Sequence, residues 1–246
     1  MDAGDLSDAA LAAALAGQAG ALLAKLRASS GLTGQALGAA GDAQANALIC
    51  EALRAARPSD GLLSEEERDN PARLAQSRVW IIDPLDGTRE YGEGRADWAV
   101  HVALAIDGVA TVGAVALPGH DGGIVLRSDQ PRPVPPAPTQ LRLVVSRTRP
   151  AAEALAVAKA LGGEVIPMGS AGAKAMAVVL GQADIYLHSG GQYEWDSCAP
   201  VAVALAHGLH ASRIDGTALA YNQRDTYMPD LLICRPEWAE RVLALI

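Results

Sequence analysis

Ile81-Ile82-Asp83-Pro84-Leu85-Asp86-Gly87-Thr88 is the stretch from which the architecture can be worked out. Val79 to Ile82 is an unbroken apolar run of strand length, and it ends at Asp83-Pro84. These residue types predict a buried strand that delivers Asp83 to a sheet edge, with Pro84 stopping the ladder because it brings no N–H. The turn then returns Asp86 toward Asp83, so two carboxylates face one small volume. Two such charges repel unless a cation lies between them. Gly87 lets the backbone approach a ligand closely. Thr88 adds a hydroxyl at the expected start of a helix, a place suited to phosphate. Turn propensity alone also favours Asp, Pro and Gly here; the chemical reading outweighs it, and further acidic residues strengthen that reading.

Upstream, Asp8 to Leu26 reads as a helix capped by Ser7, and Asp42 to Arg57 as a second. Leu62 to Ser64 form a short strand feeding Glu65-Glu66-Glu67. Downstream, Asp107-Gly108 joins Trp98–Ile106 to Val109–Leu117 as a hairpin rather than a membrane span. Ile124 to Leu126 extends that sheet. The run Pro131 to Pro138 reads as a stiff linker dividing the chain into residues 1–138 and 139–246. Beyond it, strands are expected at Leu141–Val145, Glu164–Pro167, Asp184–Leu187, His210–Ile214 and Leu231–Cys234. Helices are expected after Ser170, over Asp196–His207 with Pro200 in the first turn, and from Pro236. Mixed order of this kind predicts an α/β fold of stacked sheet and helix layers.

The 246 residues are half hydrophobic, lack Phe and carry a formal net charge of -8. That length allows one large domain or two sharing a core. No basic stripe suits nucleic acid; Arg142, Arg147 and Arg149 are the nearest approach. Acidity is compatible with phosphate chemistry if carboxylates hold cations that meet the phosphate. Cys50, Cys198 and Cys234 are odd in number and far apart, which argues against a disulfide framework or a thiolate zinc site. The acidic, Ala-rich start from Met1 to Ala16 lacks the basic opening of a signal peptide. A cytoplasmic protein with no membrane or nucleic-acid partner is expected.

Glu65-Glu66 after a strand and Asp196 before an apolar helix supply the additional carboxylates. Alone, the first would be a solvated loop and the second an ordinary N-cap. In order, Ser64-Glu65-Glu66, Asp83 to Thr88 and Trp195-Asp196 resemble the lithium-sensitive phosphatase superfamily, which includes the inositol monophosphatases and fructose bisphosphatases. Gly169-Ser170 with Lys174, and Gly181-Gln182-Ala183-Asp184-Ile185-Tyr186, look like that family's substrate-side segment. The resemblance covers about Asp42 to Cys234, and Trp80–Glu90 with Gly169–Met176 look like the CysQ-type branch found in actinobacteria. It implies an αβαβα sandwich and magnesium-dependent hydrolysis of 3′-phosphoadenosine 5′-phosphate to AMP, a step of sulfur assimilation that lithium inhibits. Inositol phosphates or fructose bisphosphate stand as alternative substrates. A catalytically silent metal- or nucleotide-binding protein on the same fold is the alternative of another class.

By position, the resemblance implies Glu65, Asp83 and the Leu85 carbonyl around one magnesium ion, and Asp83, Asp86 and Asp196 around a second. All-oxygen donors suit that ion. Asp42 and Glu66 fall where the family places contacts to a water or a third ion. Glu65 and Thr88 would orient a water for in-line attack, with Asp86 and Asp42 completing the catalytic set. Gly87 and Thr88 would meet the phosphate, and Ser170 and Lys174 the sugar or a second phosphate. Three departures stand out: Ala39 replaces a common Thr, an Arg stands in Ser146-Arg147-Thr148-Arg149 where relatives often have His, and the segment at Gly169–Lys174 is one residue longer than in some relatives. Arg149 could pair with a 5′-phosphate or stand as a surface charge. A haloacid-dehalogenase-type covalent route fits poorly, because its two aspartates are two apart and these are three apart. His207, His210, Cys198 and Asp215-Gly216-Thr217 read as structural. A homodimer is compatible with these features.

Overall fold

Alternation along one strand sets the layers. In the computed structural model, which describes residues 3–137 and 139–246, β2 runs from Arg78 to Asp86. Met1, Asp2 and Pro138, the expected end of the linker, lie outside the described residues. Trp80 and Ile82 pack with Leu11, Leu15, Leu23 and Ile49. Val79 and Ile81 pack with Val178, Cys198 and Val203. Both faces of the strand are covered, which is why its sequence is apolar without alternation.

The first sheet has the order β1-β2-β3-β4-β5, with β1 at Gly61–Ser64, β3 at Ala99–Ile106, β4 at Val109–Leu117 and β5 at Ile124–Arg127. β1 and β2 are parallel, and the other pairs are antiparallel. Asp107 and Gly108 both take positive φ in the β3–β4 turn, as expected of Asp-Gly in a two-residue hairpin. Helices α1 (Asp8–Ser29) and α2 (Gly34–Ala56) cover one face. α1 is apolar and long enough to cross a membrane, yet it lays Leu11, Leu15, Ala19 and Leu23 on this sheet. α2 begins well before the expected start, so Asp42 is an interior helical residue rather than a terminal one.

The second sheet has the order β7-β6-β8-β10-β9. Its strands are β6 (Arg142–Ser146), β7 (Glu164–Met168), β8 (Ile185–Tyr193), β9 (His210–Ser212) and β10 (Tyr227–Cys234). Helices α5 (Ala171–Val179) and α6 (Glu194–Ala206) lie between the sheets, and one apolar cluster running from Val79 and Val115 through Val178 and Val203 to Tyr186 and Ile233 joins all three layers. Helices α4 (Ala152–Leu161) and α7 (Pro236–Leu243) cover the outer face of the second sheet through Val157 and Val242. The five layers are therefore αβαβα. α4 has no counterpart among the expected elements. α6 starts at Glu194, which moves Pro200 from the first turn into the second, where it removes the N–H that would meet the Asp196 carbonyl.

Candidate metal centre and active site

A bulge builds the acidic pocket. On β2 and β3, Asp83 pairs with His101 and Asp86 with Ala99, so three steps on one strand match two on the other. Side chains alternate along a strand, and residues three apart would ordinarily face opposite ways. The extra residue turns Asp86 onto the face of Asp83. A bulge also accommodates Pro84, so the expected stop becomes an irregularity inside a longer strand. Gly87 follows with φ 89°, a left-handed conformation that glycine adopts without a Cβ penalty. It opens the short helix α3 (Thr88–Gly92).

Asp83, Asp86 and Asp196 each bring a carboxylate oxygen within 4.8 Å of the others. Asp196 comes from the first turn of α6, where its Oδ2 accepts the Tyr193 N–H at 2.7 Å. Glu65 follows β1, and its own N–H donates to the Ile82 carbonyl at 3.2 Å. Burial pushes Asp83 well above the usual carboxylate range, reinforced by Glu65, Asp86 and Asp196. Glu65 keeps an open face to solvent, yet desolvation by the walls around it, with Asp196, Glu66 and Asp86 nearby, raises it to about 8. Burial and Asp86 raise Asp196 to about 7. Asp86 moves the other way: burial opposes ionisation, but His101, Ser170 and Lys174 hold it at about 2.

Such a pocket is crowded with negative charge and protonated in compensation. A hard divalent cation relieves the same crowding, and the all-oxygen donor set of Asp83, Asp86 and Asp196 fits one. Leu85 N donates to Asp83 Oδ1 at 3.0 Å, and the Leu85 carbonyl accepts from Thr88 Oγ1 at 3.0 Å.

Thr88 Oγ1 also lies 3.3 Å from Asp42 Oδ1. Burial and Glu66 raise Asp42 to about 7. α2 reaches Thr88 because position 38 carries no side chain: a Cβ there would lie 2.6 Å from Thr88 Cγ2.

Asp86 is held by the start of α5. Oδ2 accepts from Ser170 Oγ and, at 2.6 Å, from Gly172 N, while Oδ1 accepts Ala171 N at 3.1 Å. Beyond Asp86 opens a cleft of about 180 Å³ lined by Arg149, Ser170, Lys174, His188, Gln192 and Asp196, among others. Lys174 is 4% exposed. Its Nζ donates to the Ser170 carbonyl and to that of Gly169 at 3.3 Å, and burial lowers its pKa. Arg142 pairs with Asp184, and Arg147 with Glu90 at 2.8 Å and Glu93 at 2.9 Å. Among the described residues Arg149 has no such partner, so it is the cation of this trio left at the cleft.

The pattern of the inositol monophosphatase family matches residues 7–246. The chain belongs to the inositol monophosphatase family. As a family member it is a metal-dependent phosphatase with the aspartate cluster at its centre. It is 51% identical to a 3′-phosphoadenosine 5′-phosphate phosphatase of Mycobacterium leprae, over 98% of this chain and 94% of that protein. It is 52% identical to one of Mycobacterium tuberculosis, over 93% of this chain and 89% of that protein. In fold it is similar to CysQ from Bacteroides thetaiotaomicron, with a TM-score of 0.78 at 24% identity over 92% of this chain and 96% of that one.

Within this family member the expected residues fall into two groups. Asp83, Asp86 and Asp196 surround one volume with Glu65 beside them, and Thr88 bonds to Asp42 and to the Leu85 carbonyl. Gly87, Arg149 and Lys174 line the adjoining cleft. Ser170 is there too, and its hydroxyl donates to Asp86 and accepts Ala173 N at 2.9 Å, so it caps α5 and orients a carboxylate at the edge of the cleft. Sequence reading missed His101 and His188. His101, fully buried, stands 3.3 Å from Asp86 Oδ2; one polar residue inside the apolar run Trp98–Ile106 was the available signal. His188 lines the cleft, and burial, with Lys174 and Arg149 nearby, lowers it to about 4, so it is neutral there.

Proposed function

We infer that this chain removes the 3′-phosphate of 3′-phosphoadenosine 5′-phosphate, using two magnesium ions held by Glu65, Asp83, Leu85, Asp86 and Asp196. The observation that carries the substrate is half-identity, over nearly full length, to mycobacterial phosphatases of that compound. Arg149 supports it: an unpaired guanidinium at a cleft beside the acidic centre suits a second phosphate on the same substrate. Bound there, magnesium would polarise the ester phosphate and lower the pKa of a water.

The chain's own residues do the positioning. Glu65 and Thr88 orient the attacking water. With its one hydrogen turned from the Leu85 carbonyl to Asp42 Oδ1, the Thr88 hydroxyl can accept a proton from that water while passing its own to Asp42, and a carboxyl raised to about 7 suits that exchange near neutral pH. Gly87 and Thr88 place backbone N–H groups beside the transferring phosphate. Arg149 and Lys174 receive the 5′-phosphate, and the buried Lys174 is held over the Tyr186 ring at 5.3 Å. Three free, buried thiols suit the reducing cytoplasm.

The test is a titration of chelator-treated protein with magnesium, following phosphate release from 3′-phosphoadenosine 5′-phosphate. Release that is absent without magnesium and saturates with it supports this reading. A folded protein that releases none at any magnesium concentration rules it out.

A further inference from the structure

His101 is fully buried on β3, opposite Asp83 in the ladder. Its ring reaches two segments that carry carboxylates of the pocket. Nδ1 lies 3.0 Å from the Trp195 carbonyl. A carbonyl can only accept, so Nδ1 is the donor. Nε2 lies 3.3 Å from Asp86 Oδ2, a buried polar contact that lacks hydrogen-bond geometry. Trp195 immediately precedes Asp196 in the first turn of α6. One rigid ring therefore spans from the β2 bulge to the helix that presents Asp196. An aromatic that merely fills space has no need of a polar atom at each end. The backbone of α5 packs directly on the ring: a Cβ at Gly172 would lie 2.0 Å from Nε2.

We propose that His101 is a positioning residue of the metal centre, tying Asp86 to the start of α6 and so fixing the spacing between Asp86 and Asp196. Those carboxylates come from different layers of the fold, β2 in one sheet and α6 between the sheets. α5 fixes Asp86 from one side through Ser170, Ala171 and Gly172. His101 fixes it from the other and carries the same constraint across to α6. Groups that orient ligating carboxylates in this way typically contribute about 10–100-fold to metal affinity.

This inference rests on the reading of the carboxylates as a metal centre, and the test separates the two. Metal-free full-length protein is titrated with Mn²⁺, and the free ion is followed by its paramagnetic resonance signal. His101→Leu removes both arms. His101→Asn keeps an amide near the Nδ1 position, and His101→Gln keeps one near Nε2. Circular dichroism of each metal-free variant reports its fold. The expected result is Mn²⁺ affinity at least about tenfold weaker in folded His101→Leu, with the two amide variants in between. Folded His101→Leu with wild-type Mn²⁺ affinity overturns the proposal, since a role in packing alone lowers the melting temperature and leaves affinity intact. If His101→Leu does not fold, Gly172→Ala, which forces the ring away from Asp86, is expected to show the same loss, and unchanged affinity there overturns the proposal equally. Wild-type protein that takes up no Mn²⁺ overturns the metal-centre reading, and the role of His101 with it.

Discussion

Asp83 is the residue on which the proposed chemistry turns. It is buried, opposite His101 in the ladder, and held far above its ordinary pKa by burial and three carboxylates. Asp83→Asn keeps the shape and removes the charge. Turnover is expected to fall by more than the ~10–100-fold that loss of an outer partner costs, while the metal-free protein melts at the same temperature or higher; steady-state rates and thermal melts check both halves. Arg149 makes a different prediction. Without a protein partner it has little structural work, so Arg149→Ala leaves melting unchanged. A charged hydrogen bond is worth about 1.5–3 kcal/mol, so kcat/KM for a substrate bearing a second phosphate is expected to drop roughly tenfold to a hundredfold, and that for a monoester hardly at all. Equal losses on both substrates would place Arg149 outside the 5′-phosphate contact. At this scale the acidic residues were legible because Glu65 and Asp83 follow apolar strands, Asp86 lies in the turn after Asp83 and Asp196 precedes an apolar helix, in a fixed order. His101 was not, because one histidine inside a buried strand looks the same whether it fills space or orients a neighbour. Ser170 was legible as a cap, and its bond to Asp86 depended on a contact 84 positions away.

At the level of elements, the closeness of α2 to the β2–α3 turn decides where Thr88 stands. Gly38→Ala adds helix propensity of up to about 1 kcal/mol, but its Cβ would lie 2.6 Å from the Thr88 methyl. Activity is therefore expected to fall while the melting temperature changes little. The double variant Gly38→Ala with Thr88→Ser keeps the hydroxyl and removes the methyl that clashes. It is expected to recover much of the lost rate, so the two substitutions are non-additive in a double-mutant cycle. Additive losses would mean that α2 does not position Thr88. Element boundaries were less legible than elements. α4 escaped because Ala152–Leu161 offers mostly Ala on its buried side, a weak hydrophobic period. β2 ran past Pro84 because a bulge, which depends on the partner strand, absorbs a proline that would otherwise end the ladder.

On the scale of the whole molecule, the metal centre joins carboxylates from the first sheet with one from the middle helical layer, and the price is electrostatic crowding. Folded-state values of about 8 for Glu65 and about 7 for Asp196 lie above the ordinary range. Groups raised in this way favour the metal-free fold most at low pH, and that contribution is lost as pH rises toward the folded values. Asp86, held at about 2, has the opposite sign, but its contribution changes only below about pH 4. A bound cation keeps the carboxylates ionised without that loss. The rise in melting temperature caused by saturating magnesium is thus expected to be small near pH 5 and to grow toward pH 8 in paired melts with magnesium and with chelator. A rise that is constant across that range would show that protons and magnesium do not compete for these groups. Stacked sheet and helix layers were legible from the mixed order of strands and helices, and the αβαβα sequence of those layers from the family resemblance. The single cluster that runs between the sheets was not, since it depends on helices α5 and α6 facing both ways.

One measurement bears most directly on what the enzyme does: magnesium-dependent phosphate release from 3′-phosphoadenosine 5′-phosphate, inositol 1-phosphate and fructose 1,6-bisphosphate, side by side. A preference in kcat/KM of about a hundredfold or more for the adenosine compound, roughly 2.7 kcal/mol of differential transition-state binding, is the expected result. Comparable rates on all three would leave the metal centre standing and contradict the substrate assigned to it.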